Sequence, residues 1–115
     1  MGRLSTHVLD TANGCPAEGV RYTLRRKGEA DVIASGHTNA DGRTDAPLLL
    51  SDALLVGVYE LEFDVGAYFR ARGTPLAEVP FLDDVVLRFG IGDPAAHYHV
   101  PLLVSPWAYS TYRGS

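Results

Sequence analysis

The chain has a single cysteine, Cys15, and a single lysine, Lys27, beside nine arginines. One thiol excludes an internal disulfide framework, so the fold must stand on its core, and a reducing compartment is permitted. No apolar run exceeds a few residues, Leu48-Leu49-Leu50 being typical, which excludes a membrane-spanning helix. A basic block is also missing, and with a net charge of −4 nucleic acid is a poor partner. The N-terminal residues lack the apolar stretch of a secretory signal. Met1-Gly2-Arg3-Leu4-Ser5-Thr6 fits the loose myristoylation pattern, but it runs straight into a strand-like segment. A cytoplasmic protein without a membrane partner is therefore expected. There is no Gly-x-Ser-x-Gly elbow and no phosphate-cradling glycine loop.

What is present reads as β-structure. The 115 residues, 46% apolar and 21% charged, suffice for one domain spanning 1–115. Leu4 to Leu9 alternates, with Leu4, Thr6 and Val8 on one face and Ser5, His7 and Leu9 on the other. Val20, Tyr22 and Leu24 alternate with Arg21, Thr23 and Arg25, and Tyr59, Leu61 and Phe63 alternate with Glu60, Glu62 and Asp64. Asp31–Thr38, Val85–Ile91, Ala96–Val104 and Trp107–Tyr112 supply further strands. Val65 to Arg72 lacks alternation and stops at Gly73, which predicts one short helix. Seven to eight short strands with regular turn signals predict an all-β, two-sheet antiparallel sandwich.

The polar residues fall at unusual places in these strands. Tyr98, Val100, Leu102 and Val104 look like one core face, which leaves His97, His99, Pro101, Leu103 and Ser105 pointing outward. His7 lies on the outward face of the first strand, and Arg43 follows the turn Asn39-Ala40-Asp41-Gly42. A sheet face mixing His, Leu, Pro and Ser is suited to an interface or a cleft wall.

The C-terminal run from His97-Tyr98-His99-Val100-Pro101-Leu102 through Ser105-Pro106-Trp107 to Tyr112-Arg113-Gly114-Ser115 resembles the 5-hydroxyisourate hydrolases of the transthyretin family. Leu4-Ser5-Thr6-His7-Val8-Leu9-Asp10, Gly14-Cys15-Pro16-Ala17 and Thr38-Asn39-Ala40-Asp41-Gly42-Arg43 resemble blocks of the same family in the same order. The closing tetrapeptide is what separates the hydrolases from transthyretin proper. The resemblance implies a transthyretin-like sandwich assembled as a homotetramer, a dimer of dimers, with active sites at the dimer–dimer interface. It implies catalysis by His7, Arg43 and His99, substrate contacts from His7, Arg43, Tyr112 and Ser115, and no metal or cofactor. The implied reaction opens a ring carbonyl–nitrogen bond of 5-hydroxyisourate with water, giving a carboxylated ureidoimidazoline in urate degradation.

Such chemistry needs a base for water, a donor for the developing oxyanion and a proton for the departing nitrogen. Imidazole titrates near 6.5 and suits the first and last tasks, and a forked guanidinium suits a purine-like carbonyl edge. The sequence leaves open which histidine takes the first proton. His7, His97 and His99 could alternatively form a three-His zinc site. A transthyretin-like carrier of an apolar ligand, or a purely structural sandwich, are the rival readings; channel polarity separates the carrier from the enzyme. His37 is expected at the surface, and Cys15 in a turn beside Pro16.

Overall fold

The computed structural model describes residues 1–114. Their strand segments are β1 (Arg3–Ser5), β2 (Val8–Asp10), β3 (Cys15–Pro16), β4 (Arg21–Arg26), β5 (Val32–His37) and β6 (Leu49–Leu50). A short 3-10 turn then leads to β7 (Gly57–Asp64), the helix α1 (Val65–Ala71), β8 (Asp84–Ile91), β9 (His97–His99), β10 (Leu102–Val104) and β11 (Tyr109–Ser110).

One sheet runs in the order β5-β4-β7-β8 and is antiparallel throughout. Its alternation is the one read from the sequence: Tyr59, Leu61 and Phe63 are fully buried, opposite Tyr22 and Leu24 of β4. Each such side chain contributes about 1.5–3 kcal/mol by leaving water. The other face is solvated and carries the Arg88–Glu60 pair at 2.9 Å. Helix α1 follows at once. Asp64 caps it by accepting from the Ala67 N–H at 3.2 Å, and Gly73, at φ 83°, takes the left-handed turn that ends it.

The opposing sheet is where the structure departs from the simple expectation. Its central strands are each interrupted: the predicted Leu4–Leu9 becomes β1 and β2, and Ala96–Val104 becomes β9 and β10. The two halves keep one register, Leu4 beside Tyr98 and Val8 beside Leu102, and they run parallel, not antiparallel. The interruption has a local cause. The Val100 carbonyl accepts the buried hydroxyl of Thr6 at 2.7 Å in place of a backbone N–H, while the Val100 and Leu102 N–H groups still donate to the Ser5 and His7 carbonyls at 2.9 Å each. One rung is therefore missing between Ser5 and Val8, and the chain that carries Arg43 pairs along the opposite edge of this strand, where Gly42 accepts from the Val8 N–H at 2.7 Å.

Three two-residue segments complete this sheet: β6 on the β1 edge, β3 beside β2, and β11 beside β10. The first two lay outside the predicted strands, because two-residue pairings leave no period to detect. The last strand is shorter than the predicted Trp107–Tyr112, since the pairing with β10 covers only Tyr109 and Ser110. Between the sheets, Leu4, Val8, Leu102 and Val104 meet Leu24, Leu61 and Phe63 in one apolar cluster. Pro101, expected to face outward, is buried. Ser115, expected to close the C-terminal motif, lies outside the described residues.

Candidate active site

The interrupted strand and the loop bridged to its free edge set out the site. In the turn after β5, the Asn39 carboxamide oxygen accepts from the Asp41 N–H at 2.9 Å and from the Arg43 N–H at 3.1 Å. Gly42 supplies the positive φ of 75° that closes the turn, and a side chain there would run into the Val8 carbonyl. The turn is moored by Thr38, whose buried hydroxyl donates to the Ala17 carbonyl at 2.6 Å and accepts from the Val20 N–H. These bonds bring Arg43 into an isolated antiparallel bridge with His7. The Arg43 guanidinium makes no ion pair among the described residues.

Across from it, His99 ends β9 half-buried, in register with Ser5. The Ser5 hydroxyl and His99 Nδ1 lie 2.9 Å apart. On the other side of the ring, Gly114 exchanges backbone hydrogen bonds with His99 at 2.7 and 3.3 Å. A Cβ at Gly114 would stand only 3.0 Å from His99 Cδ2, so the tail lies against the imidazole with nothing to spare. Arg3, Ser5, Arg43, His97, Tyr98 and His99 line a concavity of about 310 Å³. Its wall is polar.

The electrostatics of this corner are those of crowded positive charge. Burial, then the Arg43 guanidinium, then His7 push the His99 imidazole below its ordinary 6.5. His99 is accordingly neutral at physiological pH. His7 Nε2 lies 2.8 Å from the Asp41 carbonyl oxygen, which can only accept. The proton of neutral His7 therefore sits on Nε2 and the lone pair on Nδ1.

Three of the sequence-predicted residues, His7, Arg43 and His99, thus come together. Tyr112 does not join them within the chain. The inward–outward parity fails after Ser110, where the pairing ends and Thr111 donates to the Pro101 carbonyl at 2.7 Å. Tyr112 then lies in a groove with Leu87, Phe89 and Val100, while Arg113 stacks 4.4 Å over the Tyr98 ring. The zinc alternative is not supported: His97 Nε2 turns to the Met1 carbonyl at 3.0 Å, and the three imidazoles do not converge. Among the described residues only Asp64, Asp83 and Asp84 bring three donor atoms within 4.8 Å, and they lie away from this corner. A larger cleft, lined by Arg21, His37, Tyr68 and Arg72 among others, holds none of the predicted site residues. Ser5 and Arg3 were not singled out from the sequence, although Ser5 shares the parity of His7.

Comparison with known proteins identifies the family. The model of the HIUase/Transthyretin family matches residues 4–114. The 5-hydroxyisourate hydrolase of Ralstonia nicotianae is 57% identical over the whole of both chains. That of Pseudomonas aeruginosa is 56% identical, covering all of this chain and 93% of the relative. Among solved structures, Klebsiella pneumoniae 5-hydroxyisourate hydrolase superposes over the full length of both chains with a TM-score of 0.83 at 40% identity. An (S)-allantoin synthase superposes with a TM-score of 0.94 at 50% identity over 99% of this chain, which spans 44% of that longer protein. With its family model matched from the first strand to the C-terminal tail, the chain belongs to the HIUase/Transthyretin family.

Proposed function

We propose that the protein hydrolyses 5-hydroxyisourate, and that His7, Arg43 and His99 carry the reaction. The observation that supports this most is the bridge that sets His7 beside Arg43, with His99 near enough for its proton affinity to be lowered by both. Relatives at 57% and 56% identity bear the name of that activity.

In this reading Arg43 grips the carbonyl edge of the ring and steadies the oxyanion that water creates there, because a guanidinium offers two parallel donors and a permanent charge. The lone pair at His7 Nδ1 takes the proton of the attacking water. Collapse of the tetrahedral adduct breaks the carbonyl–nitrogen bond, the nitrogen takes the proton that His7 removed from water, and the new carboxylic acid loses its proton to solvent, leaving a carboxylate beside Arg43. His99, neutral and part-buried, gives a ring nitrogen to the same proton traffic. Neither a covalent nucleophile nor a metal enters this sequence of steps.

The assembly belongs to the same proposal: a homotetramer, built as a dimer of dimers, with the His7–His99 face turned to a neighbouring copy. Trp107, Tyr109 and Tyr112 remain 63%, 46% and 61% exposed in the single chain, an apolar surface suited to burial between copies. Pro101 adds nothing to it, being already buried. Tyr112, away from the histidines of its own chain, would reach substrate only through such a neighbour. An apolar carrier function is disfavoured by the lining of the concavity, where Arg3, Ser5, Arg43, His97 and His99 leave little apolar wall. The test is to generate 5-hydroxyisourate in situ and follow its ultraviolet decay. Decay accelerated in proportion to protein concentration is expected, and a rate equal to the spontaneous one would overturn the proposal.

A further inference from the structure

The parallel pairing of β1 with β9 holds one polar contact that the reaction scheme does not use. Ser5 and His99 are register partners on parallel strands, so their side chains must stand side by side on the outward face. The contact between them, 2.9 Å from hydroxyl to Nδ1, is the hydrogen bond that fixes the ring. We propose that Ser5 is a positioning residue for His99: its hydroxyl holds Nδ1 in both protonation states, donating to the neutral ring and accepting from the imidazolium, so that Nε2 faces the concavity throughout turnover. This rests on the hydrolase reading for its kinetic consequence, although the contact itself does not.

A hydroxyl suits the task because it is both donor and acceptor and can rotate between the roles. A carboxylate in its place would stabilise the imidazolium strongly and hold the proton too well. A methyl would leave Nδ1 unpartnered in a half-buried position. The other charged or titratable groups near His99 offer no substitute. Arg43 and Arg3 carry donors only, His7 is engaged with the Asp41 carbonyl, His97 is turned to the Met1 carbonyl, and Arg113 is spent on Tyr98 and the His97 carbonyl. Gly114, pressed against the opposite edge of the ring, closes the alternative of swinging away.

Removing the hydroxyl should affect the imidazolium more than the neutral ring, because hydrogen bonds to an ionised group are roughly twice as strong. In Ser5→Ala, His99 should therefore titrate at lower pH than in the wild type, and the acid limb of the pH–rate profile should move the same way. The rate constant kcat should fall about 10- to 100-fold with KM little changed, a loss typical of removing the group that orients a working imidazole. Ser5→Thr, which keeps the hydroxyl, should restore both. The experiment pairs kinetics of wild type, Ser5→Ala, Ser5→Thr and His99→Asn with nitrogen-15 NMR of the imidazoles, which reports tautomer and titration without substrate. If Ser5→Ala does not fold, Ser5→Cys carries the same readouts. An active wild type, an inactive His99→Asn and a Ser5→Ala variant with unchanged kcat and unchanged His99 titration would overturn the proposal and leave the hydrolase reading standing. Threonine behaving like alanine would also overturn it. An inactive wild type whose His99 resonances still depend on the Ser5 hydroxyl would sink the hydrolase reading and support the contact.

Discussion

Replacing Tyr68 with phenylalanine tests how the fold holds the strand that leads away from the site. Asp10 closes β2 with its carboxylate fully buried, served by four hydrogen bonds and one longer ion pair. The Ala12 and Asn13 N–H groups reach Oδ1 at 3.0 and 2.9 Å, while the Asn13 amide and the Tyr68 hydroxyl reach Oδ2 at 2.7 Å each. Arg72, half-exposed at 3.7 Å, adds little through solvent. Burial alone would raise the Asp10 pKa, but the hydrogen bonds from Asn13, Tyr68 and Ala12 outweigh it and hold the carboxyl below 3.8. The Tyr68 hydroxyl is pushed up to about 12, first by its own burial and then by the carboxylate. Tyr68→Phe deletes one bond to a charged acceptor, a loss of about 1.5–3 kcal/mol. With a urea dependence of about 1–2 kcal/mol per molar, the unfolding midpoint should fall by roughly 1–3 M, measured at one protein concentration because any assembly contributes by mass action. The pH dependence has a definite sign. A carboxyl whose folded pKa is depressed stabilises fully above its unfolded 3.8, and the benefit is lost as pH falls through the lower folded value. Wild type and Tyr68→Phe should therefore differ near neutrality and converge in acid. An unchanged midpoint at pH 7, or a difference that persists undiminished in acid, would refute the assignment.

Three further outcomes follow from the site. In Arg43→Gln the His99 imidazole should titrate closer to 6.5 than in the wild type, because one of the causes depressing it is gone; NMR titration of the ring checks this. Gly114→Ala should fold yet lose activity by about tenfold, since the new methyl displaces a ring whose other edge is held by Ser5, and a full-rate variant would show that the ring has room. Protein stripped by chelation and verified metal-free should keep full activity, whereas loss restored by zinc would bring back the three-histidine reading.

Much of this was legible in the sequence because strict alternation reports which face is buried. Tyr59, Leu61 and Phe63 and the run from Tyr98 to Val104 declared the two inner faces, and the same parity put His7 and His99 outside. What parity could not show is the break between Ser5 and Val8. That break depends on a threonine hydroxyl competing for a carbonyl, and the bridge to Arg43 depends on a loop from elsewhere in the chain offering its backbone to the strand's other edge. The parallel pairing was hidden for a related reason: β1 and β9 lie far apart in sequence, and nothing local records their direction. Tyr112 ends the predicted strand Trp107–Tyr112, but the pairing that would enforce its alternation stops at Ser110, so its direction is not legible from the sequence. Ser5 was visible by position, but its value lies in a distance to a residue on another strand.

The central claim is that His7 and His99 are the proton-handling groups of a shared cleft. It is tested most directly by the kinetics of His7→Asn and His99→Asn on 5-hydroxyisourate generated in situ, with assembly of each variant checked by sedimentation. Asparagine keeps polarity and approximate size but cannot take a proton near neutral pH. Both variants should assemble as tetramers and lose about 10²–10⁴-fold in rate, the usual contribution of a positioned acid–base group. Tetrameric variants that turn over at near wild-type rates would contradict the account.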